Sequence, residues 1–430
     1  MNVKIEKLIY GGEGIGHAEG RTVFVPYVLP GEVVAVRAVE QKKKFIRGHI
    51  QHLVTPSPQR VPPPCPHFTA CGGCHYQHLP YAAQVEAKSA ILRETLSRLG
   101  RITWDAPIRV HASPPFGYRN RAQWKVRPVG GQEAIGYFRS SSSALCPVEQ
   151  CAILSPLLQE TLAALRRLCA ARQLSPAVRE FEAFVNHSDD RLLLNVSLAE
   201  AVPSEGLTRV LRDAQPAIES LLLHHVPRDR FELDGPGFLR YRAADFDFRV
   251  GHLSFFQVNR HLLGELIATV LGGVSGRLAL DLFAGVGLFS VPLAGQFEKV
   301  IAVESNPAAA RNLSENLQST PSASAIESGV EQFLARHADR PDFVLLDPPR
   351  SGVAPEALRS LAALGPAQIG YLSCDPATLA RDLAVLAAAG YAIRELHLFD
   401  VFPQTFHIES YLLLERRQPG AGPSAESAPQ

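Results

Sequence analysis

The chain is short of the features that mark several large classes of protein. No apolar stretch follows the N-terminal Met1-Asn2-Val3-Lys4-Ile5-Glu6-Lys7, so a secretory leader is not expected. The longest apolar run, Leu282 to Gly295, is Gly-rich and shorter than the roughly 20 residues a membrane-spanning helix needs. Net charge is only +1, which excludes a uniformly basic nucleic-acid coat and confines any basic surface to a local patch. Cysteines number seven, an odd count that argues against a disulfide framework and for metal-binding or catalytic thiols. No internal repeat is readable. What remains is a chain of 430 residues, 46% hydrophobic and 20% charged, which excludes wholesale disorder and is long enough for two or three domains. A cytoplasmic protein outside the membrane is the expectation.

Residues 1–58 read as short strands broken by Gly, Pro and charge, the pattern of a small β-barrel. In residues 1–60 nine Lys or Arg face five Glu, and Lys42-Lys43-Lys44 followed by Phe45 falls at an expected hairpin loop. A basic loop with an aromatic suits single-stranded nucleic acid; a solvated turn is the plain alternative. A Pro-rich linker leads to three cysteines and a helix from about Tyr81 to Leu99. Residues 59–250 form a central α+β domain in this reading. There Tyr118-Arg119-Asn120-Arg121, with Gln123, Trp124 and Lys125, offers charges and rings for RNA, or else an ordinary half-exposed strand. Over 251–416, strands and helices alternate, which predicts a mostly parallel, Rossmann-like α/β sheet. Residues 417–430 read as a flexible Pro/Gly/Ser/Ala tail.

Within that last domain a buried strand, Leu278–Leu282, runs into Phe283-Ala284-Gly285-Val286-Gly287-Leu288. The third glycine of a dinucleotide fingerprint would fall at Ser290, so the pyrophosphate pattern is broken. Glu304 ends the next strand, placed to accept both hydroxyls of an adenosine ribose. A ribose without a pyrophosphate favours S-adenosylmethionine over NAD.

Three segments follow strand ends: Asp347-Pro348-Pro349-Arg350, Ser373-Cys374-Asp375, and Phe402-Pro403 with His407 and Glu409. Methylation of an exocyclic amine usually places an aromatic after such prolines, and Arg350 stands there instead. A strand-end cysteine fits another chemistry. Carbon 5 of uracil is too weak a nucleophile to take a methyl group directly, but a thiolate adding to carbon 6 turns it into an enolate. The site then needs a thiol, a base and a group steadying the pyrimidine oxygens, and Cys374, Glu409 and Asp347 supply these types. The alternative for Cys374 is a small buried hydrophobe.

Cys65-x5-Cys71-x2-Cys74 is a compact ligand set in need of a fourth thiolate, with Cys146 and Cys151 as candidates. Zinc and an iron–sulfur cluster both satisfy four thiolates, and spacing does not choose between them. His67, His75 and His78 are weaker candidates.

Taken together, Phe255-Phe256-Gln257-Val258-Asn259, Asp281–Phe289, Asp347-Pro348-Pro349-Arg350, Ser373-Cys374 with Thr378–Leu383, and Phe402-Pro403 with Glu409 closely resemble the RNA uracil-C5 methyltransferases, from residue 1 to about 415. The resemblance implies Cys374 as nucleophile, Glu409 as base, and donor contacts from Gln257, Phe283, Glu304 and Asp347. It also implies donor-contact positions at Leu288 and Ser328, where some relatives have asparagine, so contacts here are main-chain or absent. Asp375 replaces the usual Asn, and a carboxylate beside the nucleophile is expected to raise its pKa. The resemblance further implies a [4Fe–4S] cluster on Cys65, Cys71, Cys74 and Cys151, leaving Cys146 and Cys169 as structural thiols. The N-terminal barrel resembles a TRAM domain, which points to 23S ribosomal RNA, with transfer RNA as the alternative substrate. DNA and membrane partners are not expected, and a monomer is. A rival of another class is an RNA-binding iron–sulfur protein with an inactive methyltransferase domain; retention of both Cys374 and Glu409 argues against it.

Overall fold

The computed structural model describes residues 1–417, so the expected tail lies outside the described residues apart from Arg417. The chain forms two compact units. One comprises Met1–Ile91, His111–Glu265 and Asp400–Ile408; the other comprises Leu92–Val110, Leu266–Phe399 and the chain from Glu409.

In the first unit, the strands Asn2–Leu8, Glu13–Ala18, Arg21–Pro26, Val33–Gln41 and Phe45–Thr55 close into a barrel. Alternate residues point inward, so Val3, Ile5, Val23, Val25, Val34 and Ile46 fill its centre. Lys42–Lys44 occupy the exposed turn between the last two strands, as expected. Phe45 packs edge-on against Phe24, and Arg47 lies over the Phe24 ring while bonding to Glu13.

The central part of this unit is a seven-stranded sheet. Its order is Arg230–Asp234, Ile218–His225, Leu192–Leu198, Val178–Val185, Arg121–Val129, Gln132–Phe138 and Leu145–Pro147. The helix Pro156–Ala170 contributes Leu158, Leu162 and Leu165 to the core beneath it.

The RNA reading of residues 118–125 does not hold for its aromatic members. Tyr118 and Trp124 are fully buried and spend their polar atoms internally, on Pro403 O (3.0 Å) and Tyr137 Oη (3.0 Å). Arg121 stacks over Phe184 and pairs with Glu182, while Lys125 and Gln123 meet Glu180. An aromatic goes to whichever side the rest of the protein buries, and the local sequence does not say which side that is.

The second unit carries an eight-stranded sheet. Ala323–Glu327, Phe297–Glu304, Gly276–Leu282, Phe343–Leu346 and Gln368–Ser373 run parallel; Glu409–Arg416 then pairs antiparallel, followed by Tyr391–Phe399 and the short edge strand Arg109–His111. The central strands are apolar on both faces, as a sheet covered on both sides requires. The helices Pro307–Leu317, Pro355–Leu364 and Pro376–Ala388 each begin with proline at a position whose N–H has no helical partner. Several short elements differ from the sequence reading, among them the unannounced helix Val330–Leu334. The helix after the glycine turn is only the four residues Ser290–Leu293, and Ala323–Glu327 is a strand that the sequence did not announce. That strand sits at the sheet's edge and buries little, so its apolar pattern is weak.

Candidate active site and cysteine cavity

In the second unit the site forms where parallel strands end, the usual ligand-binding edge of an open α/β sheet. Gly285 and Gly287 both have left-handed backbones, with φ of +58° and +91°. A side chain at Gly287 would come within 2.8 Å of Leu313 Cδ1, whereas a Cβ at Gly285 would meet nothing within 4 Å. Gly285 therefore leaves open space beside the turn. Phe283 adopts a left-handed backbone too, at φ +68°. A bulky non-glycine residue there stores strain of the sort found at ligand-binding turns.

Glu304 clamps this turn. One carboxylate oxygen accepts from Gly285 N–H at 2.8 Å and the other from Asn306 N–H at 2.6 Å. Each oxygen keeps a lone pair for a hydroxyl donor. Ser328 is half-buried; its amide donates to Glu304 O and its hydroxyl to Gly329 O. Leu288 is 7% exposed, so its apolar side chain belongs to the wall. Gln257 lies in the first unit, buried, its carbonyl accepting from Asn120 Nδ2 at 3.1 Å.

The strands that carry Cys374 and Glu409 are direct neighbours. Their last pair is Ser373 with Ser410, and one step beyond it stand Cys374 and Glu409. The thiol is half-buried and the carboxyl is 4% exposed. Burial, then Glu409, then Asp347 push Cys374 up to about 12, and Arg350 opposes them. Glu409 is driven well above the carboxylate range by burial and then by Asp347, again opposed by Arg350. Asp347 itself is raised to about 7 by burial and by Asp281.

Asp375 does something the sequence reading did not anticipate. Its side chain caps the helix Pro376–Ala388, accepting from Ala377 N and Thr378 N. The charges that raise the thiol are Glu409 and Asp347, and the cation that offsets them is Arg350. Sequence reasoning quoted Arg350 and Asp281 within their motifs but gave neither a role. Asp281 left a signal, a lone acid in an apolar strand before a glycine turn; the role of Arg350 depends on sheet register and left none.

In the first unit, Cys65, Cys71, Cys74 and Cys151 all line one cavity of about 260 Å³, together with Tyr137 and Arg119. Cys146 and Cys169 are buried in the hydrophobic core instead. Desolvation pushes Cys71 and Cys74 up to about 12, so several thiolates cannot share this space without cationic charge among them. Among the described residues, no three His, Cys, Asp or Glu side chains converge closely enough to hold a single metal ion. His67 accepts from Glu149 N and His78 faces Val28 O.

A second opening in this unit is a groove of about 1290 Å³ between barrel and cysteine loop. Tyr10, Tyr27, Arg47, His75, Arg139 and Phe406 line it, and the Phe406 ring meets Tyr10 and His75 edge-on. Among the described residues no helix is long and apolar enough to cross a membrane.

The chain is similar to known proteins over most of its length. The sequence matches the TRAM domain family over residues 1–50, the TRM5/TYW2 methyltransferase domain over 265–351 and the tRNA (Uracil-5-)-methyltransferase family over 334–417. It is 35% identical to a 23S rRNA (uracil(1939)-C(5))-methyltransferase of Dechloromonas aromatica, across 96% of this chain and 99% of that one. Identity to the enzyme of the same description from Klebsiella pneumoniae is 33%, across 97% and 96%. The crystal structure of Pyrococcus abyssi tRNA (uracil-54, C5)-methyltransferase, in complex with S-adenosyl-L-homocysteine, superposes with a TM-score of 0.75 at 26% identity. It covers 96% of this chain and 100% of that one.

Proposed function

Since the chain belongs to the RNA uracil-C5 methyltransferases, we propose that it methylates carbon 5 of a uridine in 23S ribosomal RNA through a transient bond between Cys374 and carbon 6. The observation that carries this reading is the strand register that sets Cys374 opposite Glu409, with Asp347 and Arg350 in electrostatic reach of both.

S-adenosylmethionine supplies an electrophilic methyl group on a sulfonium. For this chain, the Glu304 carboxylate takes the ribose hydroxyls, Gly285 leaves room beside the turn, and Phe283, Leu288, Ser328, Asp347 and Gln257 are the further donor contacts assigned. The Cys374 thiolate adds to carbon 6, and the ring's π electrons move to the carbonyl oxygen at carbon 4. Asp347, which keeps its proton up to about pH 7, donates to that oxygen. Carbon 5 then attacks the methyl carbon, the methyl–sulfur bond of the sulfonium breaks, and S-adenosyl-L-homocysteine leaves as the neutral thioether. Glu409, made strongly basic by burial, removes the carbon 5 proton; the double bond re-forms and the thiolate leaves. Arg350 favours the ionised thiol and carboxylate that start and end this sequence.

A [4Fe–4S] cluster is assigned to Cys65, Cys71, Cys74 and Cys151, whose thiols all line one cavity. Its role here is to fix the fold. RNA contact is assigned to residues 1–58 and 59–250, supported by the aromatic and basic groove, and chemistry to 251–416. The working unit is a single chain in the cytoplasm, acting on RNA and on neither DNA nor membranes. Transfer RNA is the second reading, favoured by the likeness to the Pyrococcus abyssi enzyme; the higher identity to the ribosomal RNA enzymes places it second. Mapping 5-methyluridine in ribosomal and transfer RNA from a deletion strain tests this. Loss from 23S RNA is expected, loss from transfer RNA alone would install the second reading, and no loss anywhere would overturn both.

A further inference from the structure

Arg350 lies on the exposed loop that follows Phe343–Leu346, and a loop does not by itself hold a cation in register with a nucleophile. This loop is tied to the helix Pro376–Ala388, which begins directly behind Cys374. Thr378 Oγ1 donates to Arg350 O at 3.2 Å, and Arg381 Nη2 donates to Ser351 O at 2.8 Å and to Val353 O at 3.3 Å. Asp382 is the centre of the attachment. Its side chain is fully buried, and one oxygen accepts from Val353 N at 2.8 Å and from Tyr371 Oη at 2.6 Å. The other accepts from Arg381 Nε at 2.7 Å. Gly352 makes this approach possible: at φ +73°, a Cβ would come within 2.5 Å of Asp382 Oδ2 and 2.6 Å of Arg381 Nη2.

These bonds land on the main chain of residues 350, 351 and 353 and not on the body of the helix Pro355–Leu364. One helix thus sets the place of both the sulfur and the cation. We propose that Asp382 is a positioning residue for the methyl transfer, fixing the 350–353 loop so that the Arg350 guanidinium faces Cys374 and Glu409. The inference rests on the nucleophile assignment above.

The test follows carbamidomethylation of Cys374 by iodoacetamide across pH in the full-length holoprotein, read by mass spectrometry on the Cys374 peptide, beside steady-state methylation. Asp382→Asn keeps the shape but loses the charge that orients Arg381. It should lower kcat on the order of 10²-fold, as roughly 1 Å misplacements do, with KM for the donor nearly unchanged. Its alkylation profile should move to higher pH, as in Arg350→Ala, and the double variant should move no further. Gly352→Ala, which lifts the loop off an intact Asp382, should shift the profile in the same direction even where Asp382→Asn fails to fold. A wild-type alkylation profile in either folded single variant, or additive shifts in the double, overturns the inference. The two failures separate. A Cys374→Ala enzyme that still turns over defeats the nucleophile assignment; an inactive Cys374→Ala beside an unshifted Asp382→Asn defeats only the positioning role.

Discussion

Burial takes Asp281 and Asp347 up to about 7, with Asp281, on the neighbouring parallel strand, adding to the rise at Asp347 and Glu304 to that at Asp281. Ser290 Oγ donates to Asp281 Oδ2 at 2.5 Å, while Oδ1 has no hydrogen-bond partner among the described residues. An acidic pair poised near neutrality, with one oxygen unused, suits a pocket that receives a cationic, hydrogen-bonding donor.

That pair makes stability depend on pH. Between about 4 and 7 the unfolded chain has lost protons that the folded carboxyls keep, so stability contributed by the pair falls as pH rises and is level above about 7. His75, His78 and His252, held down to about 4 by burial, act with opposite sign between about 4 and 6.5. The useful quantity is therefore a difference. The melting-temperature advantage of Asp281→Asn over wild type, without donor, should grow from pH 4 to pH 7 and then level off. An advantage independent of pH would show that the carboxyl ionises normally in the fold.

Cys374→Ala should abolish methylation while donor binding, measured by calorimetry, survives. Glu409→Gln should accumulate a covalent enzyme–RNA species, because the methylated adduct cannot lose its carbon 5 proton. A denaturing gel without a slow-migrating band would remove Glu409 from the role of base. Wild type should be trapped in the same way by RNA carrying 5-fluorouridine at the target.

In the first unit, Lys88 Nζ donates to Asp400 Oδ1 at 2.6 Å and to Phe402 O at 2.9 Å, both side chains being fully buried. Lys88→Met leaves the Asp400 carboxylate buried without its cation, and should cost roughly 3–5 kcal/mol in denaturant unfolding. Lys88→Met with Asp400→Leu should recover most of that loss, since no lone charge remains. An equally unstable double variant would assign the effect to packing.

Protein purified without oxygen should carry iron and sulfide with a visible absorbance. Cys65→Ser should lose both, and Cys146→Ser should keep them, because Cys146 faces the core and not the cavity. Iron retained in Cys65→Ser, or lost in Cys146→Ser, would redraw the ligand set.

Much of this molecule follows from local rules. Strand alternation over residues 2–55 and the unbroken apolar strands after 276 are periodicities that any fold with those elements must satisfy. The glycine turn, Glu304 seventeen residues beyond Gly287, and the Cys65–Cys74 set are likewise written at short range, where spacing alone restricts the chemistry. Other features depend on which strands become neighbours. Residues 350, 374 and 409 are far apart in the chain and meet only because the strands ending near them lie side by side in one register. The burial of Tyr118 and Trp124, the placing of Cys151 at the cavity and of Cys146 in the core, and the turning of Asp375 into a helix cap were decided the same way. Each asks which face of an element the rest of the protein covers, and that is settled by packing the whole chain, where burial outweighs the local preference of any one segment.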